Sequence, residues 1–214
     1  MAKFTNGVHS PVIGKLANTT SYIRKGEAII RTRPKGKKVP LAKRTKQQLS
    51  TSVVHEFLRP MQEFLKFGFA YDVSLRPTCN YYNFAFRMAK QAIIGEHPKW
   101  KIDYSNVLVA KGPLPLPKNI QYEMVPEGVK FTWDTDKPEL PAKFSDLAMV
   151  IAFYPGEDRA DFIRSAAYRL AGEQILPLGV KNKPMELYIA FISDDHKLVS
   201  NSYHLGQAIW DGQG

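Results

Sequence analysis

Seven short runs near the C-terminal end constrain how this chain can fold more than any other feature. Between residues 119 and 214 they read "NIQYEMV", "GVKFTWD", "LAMVIAFYP", "ADFIRSAAYRL", "EQILPLG", "MELYIAFIS" and "LVSNSYHLGQA". Segments such as "PEG", "DKPELPAKFSD", "GEDR", "GVKNKP" and "DDHK" separate them, rich in the Gly, Pro, Asp and Asn that turns require. The runs alternate apolar with polar residues or are apolar throughout, as strands buried on one or both faces do. Their even spacing over residues 119–214 predicts an antiparallel β-sandwich.

Upstream the period changes. Thr45 stands three residues before Gln48, the spacing of a capping box in which each side chain satisfies an orphan backbone N–H. Leu49, Val53, Phe57, Met61 and Phe64 follow at spacings that stack on one helical face. Pro60 interrupts that pattern and removes a backbone donor, so a kink or two abutting helices is expected near Arg59–Pro60. A second helix is expected from about Asn80 to Ile94, stopped by Gly95. "KIDYSNVLVAKG" reads as a strand. "GPLPLPKN", with prolines at alternate positions, reads as an extended connector. The chain is therefore expected to be α+β. Residues 1–44 form a basic, glycine-studded arm with a hairpin, and 45–112 a helical region ending in a strand. A proline linker at 113–118 leads to the sandwich at 119–214.

Two resemblances extend this reading. Trp133 on the second run and Tyr188 on the sixth resemble the core tryptophan and tyrosine of fibronectin type III and immunoglobulin-like domains, which implies a fold and no function. The whole chain resembles a bacterial family of uncharacterised proteins of similar length. It does so through "YIRKGEAIIRTRP", "FLRPMQEFLKFGF", "IDYSNVLVAKGPLP" and "YIAFISDDHKLVSNSYHLGQ", of which "IRTRP" and "SNSYHLG" are the most specific. That resemblance implies an architecture and carries no activity, cofactor or catalytic residue.

Charge is sorted along the chain. Residues 1–50 hold twelve Lys and Arg against Glu27 alone, whereas residues 113–214 hold ten basic and fourteen acidic residues. Within the basic region, "TSYIRKGEAIIR" reads as two extended runs around a turn containing Gly26. Period-2 alternation on the second run sets Ile29, Arg31 and Arg33 on one face and Ile30 and Thr32 on the other. Paired arginines do not suit a buried strand face, so the arm is expected to lie against something else. The candidate polyanion-binding residues are Arg24, Lys25, Arg31, Arg33, Lys35, Lys37, Lys38, Lys43 and Arg44. Lys and Arg gain affinity for phosphates by releasing counterions, and Tyr22 supplies a ring on which a base could stack. The leading expectation is a non-enzymatic, nucleic-acid-associated protein that grips phosphate backbone without reading sequence. The alternatives are a structural subunit whose arm contacts neighbouring copies, with a glycine-studded hairpin edge as the template, and a basic tail that only confers solubility. Anionic lipid is a minor variant, since no amphipathic apolar face accompanies the charge.

Motifs for chemistry are absent. His9, His55, His97, His196 and His204 never fall at HxH, HxxxH or HExxH spacing, and Cys79 is the single cysteine, so no metal site is predicted. Asp134 and Asp136 in "WDTDKPE" lack the later Gly and Glu of a calcium loop. "SDDHK" places Ser193, Asp194, Asp195 and His196 side by side on an expected hairpin loop, where adjacent side chains diverge instead of forming a triad. No nucleophile elbow, phosphate loop or dinucleotide fingerprint is present, and no cofactor is expected. The lone cysteine, the missing secretory h-region and the lack of a long apolar run predict a cytoplasmic protein with no membrane span.

Overall fold

Thr45 opens the first helix as its spacing to Gln48 predicts. Its hydroxyl oxygen accepts the Gln48 N–H at 3.3 Å, and the Gln48 side-chain oxygen accepts the Thr45 N–H at 3.0 Å. The computed structural model describes residues 3–4, 12–24, 26–33, 45–76, 78–96 and 99–213, and the chain clusters into two compact units, Met1–Arg44 and Thr45–Gly214. Helix α1 spans Lys46–Leu58. A 3-10 turn at Arg59–Met61 leads into α2 (Gln62–Gly68). Pro60 thus sits at the start of a new turn, where its missing N–H leaves no bond unmade. Helices α3 (Ala70–Leu75) and α4 (Tyr81–Gln91) follow, the latter capped by Asn80, whose side chain accepts the Tyr82 N–H at 3.3 Å. Thr45→Ala removes half of the capping box and is expected to destabilise the chain by about 1 kcal/mol, read as a lower midpoint in urea.

Helix α4 ends short of the expected Ile94. Ile93–Ile94 instead form β5, which pairs with β6 (Lys101–Ile102), consistent with the preference of β-branched residues for strands. The strand expected to run from Lys101 to Gly112 stops after two residues. The Asp103 carboxylate accepts from the Ser105 N–H at 3.1 Å, the Ser105 hydroxyl at 2.8 Å and the Asn106 amide at 2.6 Å. That Asx-type turn bends the backbone away from strand geometry.

All seven runs between 119 and 214 contain a strand. They are β7 (Gln121–Val125), β8 (Gly128–Thr132), β9 (Leu147–Tyr154), β10 (Arg159–Ile163), β11 (Glu173–Pro177), β12 (Pro184–Ile192) and β13 (Tyr203–Ile209). Every pairing between these strands is antiparallel. One sheet has the order β10-β9-β12-β13 and the other β11-β8-β7. In the smaller sheet Val129 and Phe131 turn inward, while Lys130 reaches Glu173 at 2.9 Å and Glu123 at 3.5 Å on the wet side. Gly128 (φ +152) opens β8 where a Cβ would meet the Leu176 carbonyl oxygen at 2.1 Å, so this close approach of backbones needs glycine.

The central strands β9 and β12 are covered on both faces. Met149, Ile151 and Phe153 with Tyr188 and Ala190 pack against Phe57, Met61 and Phe64 of the helical layer. The alternate residues Val150, Ala152, Leu187, Ile189 and Phe191 pack with Phe131 and Leu176 of the smaller sheet. Each fully buried large side chain stabilises the fold by about 1.5–3 kcal/mol relative to exposure. The chain is thus α+β. Trp133 lies in the core between the sheets, its ring edge-on to Phe191 at 5.2 Å. Tyr188 lies in the other core, facing the helices, and donates its hydroxyl to the Tyr104 carbonyl at 2.9 Å. Both are core residues, on opposite sides of the β10-β9-β12-β13 sheet, because neighbours along β12 alternate in direction.

Residues 113–118 are extended, as their prolines require, yet they lie against the strands. Leu114 is buried, bridges to Ser200 and donates its N–H to the Val199 carbonyl at 3.0 Å, and Arg169 Nη2 donates to the Pro115 carbonyl at 2.7 Å. The helices and both sheets fall in the one unit Thr45–Gly214, and no boundary between units coincides with the connector.

Candidate polyanion-binding face

The N-terminal unit contains a four-stranded antiparallel sheet, β1 (Lys3–Phe4), β2 (Val12–Leu16), β3 (Thr19–Arg24) and β4 (Glu27–Thr32), in sequential order. The expected hairpin is β3–β4, closed by the pair Arg24↔Glu27 with Gly26 at φ +83, a left-handed conformation that glycine adopts without strain.

Register decides which side chains share a face. Lys15, Thr20 and Arg31 align in one row across β2, β3 and β4, and Tyr22 stands opposite Ile29 one row on. Arg31 places its guanidinium carbon 5.7 Å from the Tyr22 ring centroid, within cation–π range. That contact holds the guanidinium against the sheet surface. Arg33, just past β4, donates its backbone N–H to the Asn18 carbonyl at 2.7 Å and Nη1 to the Ala17 carbonyl at 3.4 Å, which folds its side chain back over the β2–β3 turn. Arg24 lies across from Glu27. Among the described residues, no ion pair involves Lys15, Arg24 or Arg31. The other face of the sheet carries Leu16, Ile23 and Ile30, which are 58%, 50% and 70% exposed.

Of the nine residues expected from sequence, Arg24 and Arg31 lie on this face, two rows apart, and Arg33 borders it. Lys25, Lys35, Lys37, Lys38, Lys43 and Arg44 lie outside the described residues. Lys15 also belongs to the face, although the sequence reading does not reach it. Its row is defined by pairing with a third strand, and a hairpin reading of residues 19–32 has no place for it.

Elsewhere, the "SDDHK" segment is a turn after β12. The Ser193 hydroxyl donates to Asp195 at 2.7 Å and accepts the N–H groups of Lys197 (3.2 Å) and Leu198 (2.9 Å), while the His196 ring lies edge-on to Phe67 at 5.7 Å. The bond from the Ser193 hydroxyl, then one from the Lys197 N–H at 3.1 Å, hold the Asp195 carboxyl down at about 2. The Ser193 hydroxyl is thus taken up by the turn, and the His196 ring packs on Phe67 of α2. Among the described residues, no three His, Cys, Asp or Glu side chains converge as metal ligands, and no helix is long and apolar enough to cross a membrane.

The model of the family of unknown function DUF6266 matches residues 10–206. The chain belongs to that family. No curated protein and no solved structure matches it. The DUF6266 match takes in the β2–β4 sheet together with the helical layer and most of β13, so the basic face lies inside the family's span and not on an appendage to it.

Proposed function

We propose that this protein is a non-enzymatic binder of nucleic acid. Its N-terminal sheet grips phosphate backbone through Lys15, Arg24 and Arg31, helped by the basic segment that follows. The observation that carries this reading is the row Lys15–Thr20–Arg31, with Tyr22 holding the guanidinium of Arg31 at the surface. Arg presents paired donors that match phosphate, and the ring of Tyr22 offers a stacking platform without base preference. Among the described residues the face carries Lys15, Arg24 and Arg31 with the single carboxylate of Glu27, which suits backbone contact better than base reading. The single cysteine agrees with a reducing, cytoplasmic setting. In the larger unit, the three-stranded and four-stranded orders with Trp133 between them support an immunoglobulin-like sandwich of the fibronectin type III kind.

The test is binding to mixed-sequence DNA and RNA across salt. With about six phosphates engaged, log K is expected to fall with log salt at a slope near −5, a loss of roughly 10³ between 50 and 200 mM. The variant Lys15→Ser/Arg24→Ser/Arg31→Ser is expected to flatten the slope by about 0.9 for each cation that no longer meets a phosphate. Absence of binding at low salt, or an unchanged slope in the variant, would sink the proposal.

A second reading, an assembly subunit, is favoured by the exposed aliphatic face of Leu16, Ile23 and Ile30, because a small sheet gains stability only when an apolar face is covered. It requires self-association that Ile30→Lys abolishes. A chain that stays monomeric at high concentration rules it out.

A further inference from the structure

A cleft of about 460 Å³ opens in the larger unit between α1, the β6 region and the end of β9. This volume lies within the ~300–1,000 Å³ range of small-molecule sites. Three of its walls are aromatic rings in mutual contact: Phe57 and Phe153 meet edge-on with centroids 5.1 Å apart, and Tyr104 stands 6.0 and 5.9 Å from them. Trp100 supplies a fourth wall. Its indole N–H is buried and has no hydrogen-bond partner among the described residues, and buried donors are normally satisfied.

Two carboxylates, Glu56 and Glu186, act on these rings. Glu56 lines the cleft from α1 and is exposed, with no ion pair among the described residues. Glu186 is buried on β12 directly across from Phe153, where His204 Nε2 lies 2.8 Å from one carboxylate oxygen and Gln207 donates to the other at 3.0 Å. Burial first, then the negative charges of Glu186 and Glu56, push the Tyr104 hydroxyl above its ordinary range. Lys101, the one cation among the described lining residues, is exposed to solvent. The protein itself shows what these rings attract: Lys46 Nζ lies 5.3 Å from the centroid of Trp100.

We infer that this cleft binds a compact organic cation, an alkylammonium or quaternary ammonium group, with Trp100 and Tyr104 beside the cation, the buried rings of Phe57 and Phe153 as its floor and Glu56 as its counter-charge. Ring quadrupoles attract such a cation, and a nearby carboxylate reinforces them as the site excludes water. The unpartnered Trp100 N–H adds a donor for a carbonyl or hydroxyl carried by the same ligand. Two sources share this chemistry, a free amine and the lysine side chain of a peptide.

Calorimetric titration of the full chain with four probes separates them. The probes are choline, its neutral isostere 3,3-dimethylbutanol, N-acetyl-lysine methylamide and N-acetyl-norleucine methylamide. Each cation is expected to bind about tenfold or more above its neutral partner, the size of a desolvated cation–π contact. Glu56→Gln, on an exposed helix position, is expected to weaken cation binding severalfold while thermal unfolding stays unchanged. Trp100→Phe keeps a ring and deletes the donor, and is expected to weaken the amide-bearing probe more than choline. Choline binding alone assigns the site to free amines, and lysine amide binding alone to peptides; either supports the cation site. Equal binding of charged and neutral partners, no saturable binding up to about 10 mM, or indifference to Glu56→Gln overturns it.

Discussion

Arg169→Met is expected to destabilise the larger unit by about 3–5 kcal/mol, the usual consequence of stripping the partner from a buried charge. Arg169 and Asp146 are both almost wholly buried, with Arg169 Nε 3.3 Å from the Asp146 carboxylate. The guanidinium also lies 4.5 Å from the Phe191 ring centroid and donates to the Pro115 carbonyl, fastening the connector to the core. Without Arg169, the N–H of Lys143, at 2.8 Å, remains to stabilise the charge on the Asp146 carboxylate. Asp146→Asn/Arg169→Met removes both charges and is expected to recover much of the loss. Chemical unfolding midpoints of the two variants decide the matter. A single variant that loses less than about 1 kcal/mol would show the pair to be dispensable.

The same pair gives a signed pH dependence. Burial dominates at Asp146 and raises its pKa despite the bond from Lys143 and the nearby guanidinium, while burial lowers that of Arg169. A carboxyl whose folded pKa lies above its unfolded value of 3.8 holds its proton more tightly in the folded state. Its contribution to stability is therefore present at low pH and is lost as pH rises from the unfolded value through the folded one. Asp146→Asn is expected to remove that fall and leave the acid side of the stability profile flatter.

Phe64→Ala is the other large effect, expected at about 3–5 kcal/mol in a total of roughly 5–15. Phe64 is fully buried in α2 and meets Phe162 of β10 edge-on at 6.1 Å. Because the helical layer shares a core with the four-stranded sheet, the near-ultraviolet signal of Trp133 is expected to shift in step with the far-ultraviolet signal. Separated transitions would show that helices and sheets unfold independently.

Local signals in the sequence match the structure closely. Thr45 with Gln48, Pro60, and the turn residues around seven apolar runs each report their own surroundings within a few residues, and each lies where the pattern puts it. Long-range pairing is not legible in the same way. The "DYSN" turn reads as strand because Val107, Leu108 and Val109 continue the apolar run past it, although Asp103 followed by Ser105 is the available signal for a turn. Tyr188 and Trp133 both read as core residues, but a sequence shows alternation without saying what covers each side, and the two lie in different cores. Lys15 enters the basic face only once β2 is paired with β3. The aromatic cleft draws on residues from 53 to 156, with no spacing to betray it.

The order of the four-stranded sheet also sets a timetable for synthesis. The β9 segment "LAMVIAFY" pairs on one side with β10, which follows at once, and on the other with β12, which begins only at Pro184. About 30 more residues must leave the ribosome before that second edge closes, some seconds at ~5–20 residues per second. For that interval an uncharged, eight-residue β segment presents an open edge, the composition most prone to pair with another chain. A strand at the centre of the finished sheet is thus, during synthesis, exposed to its neighbours on the same message.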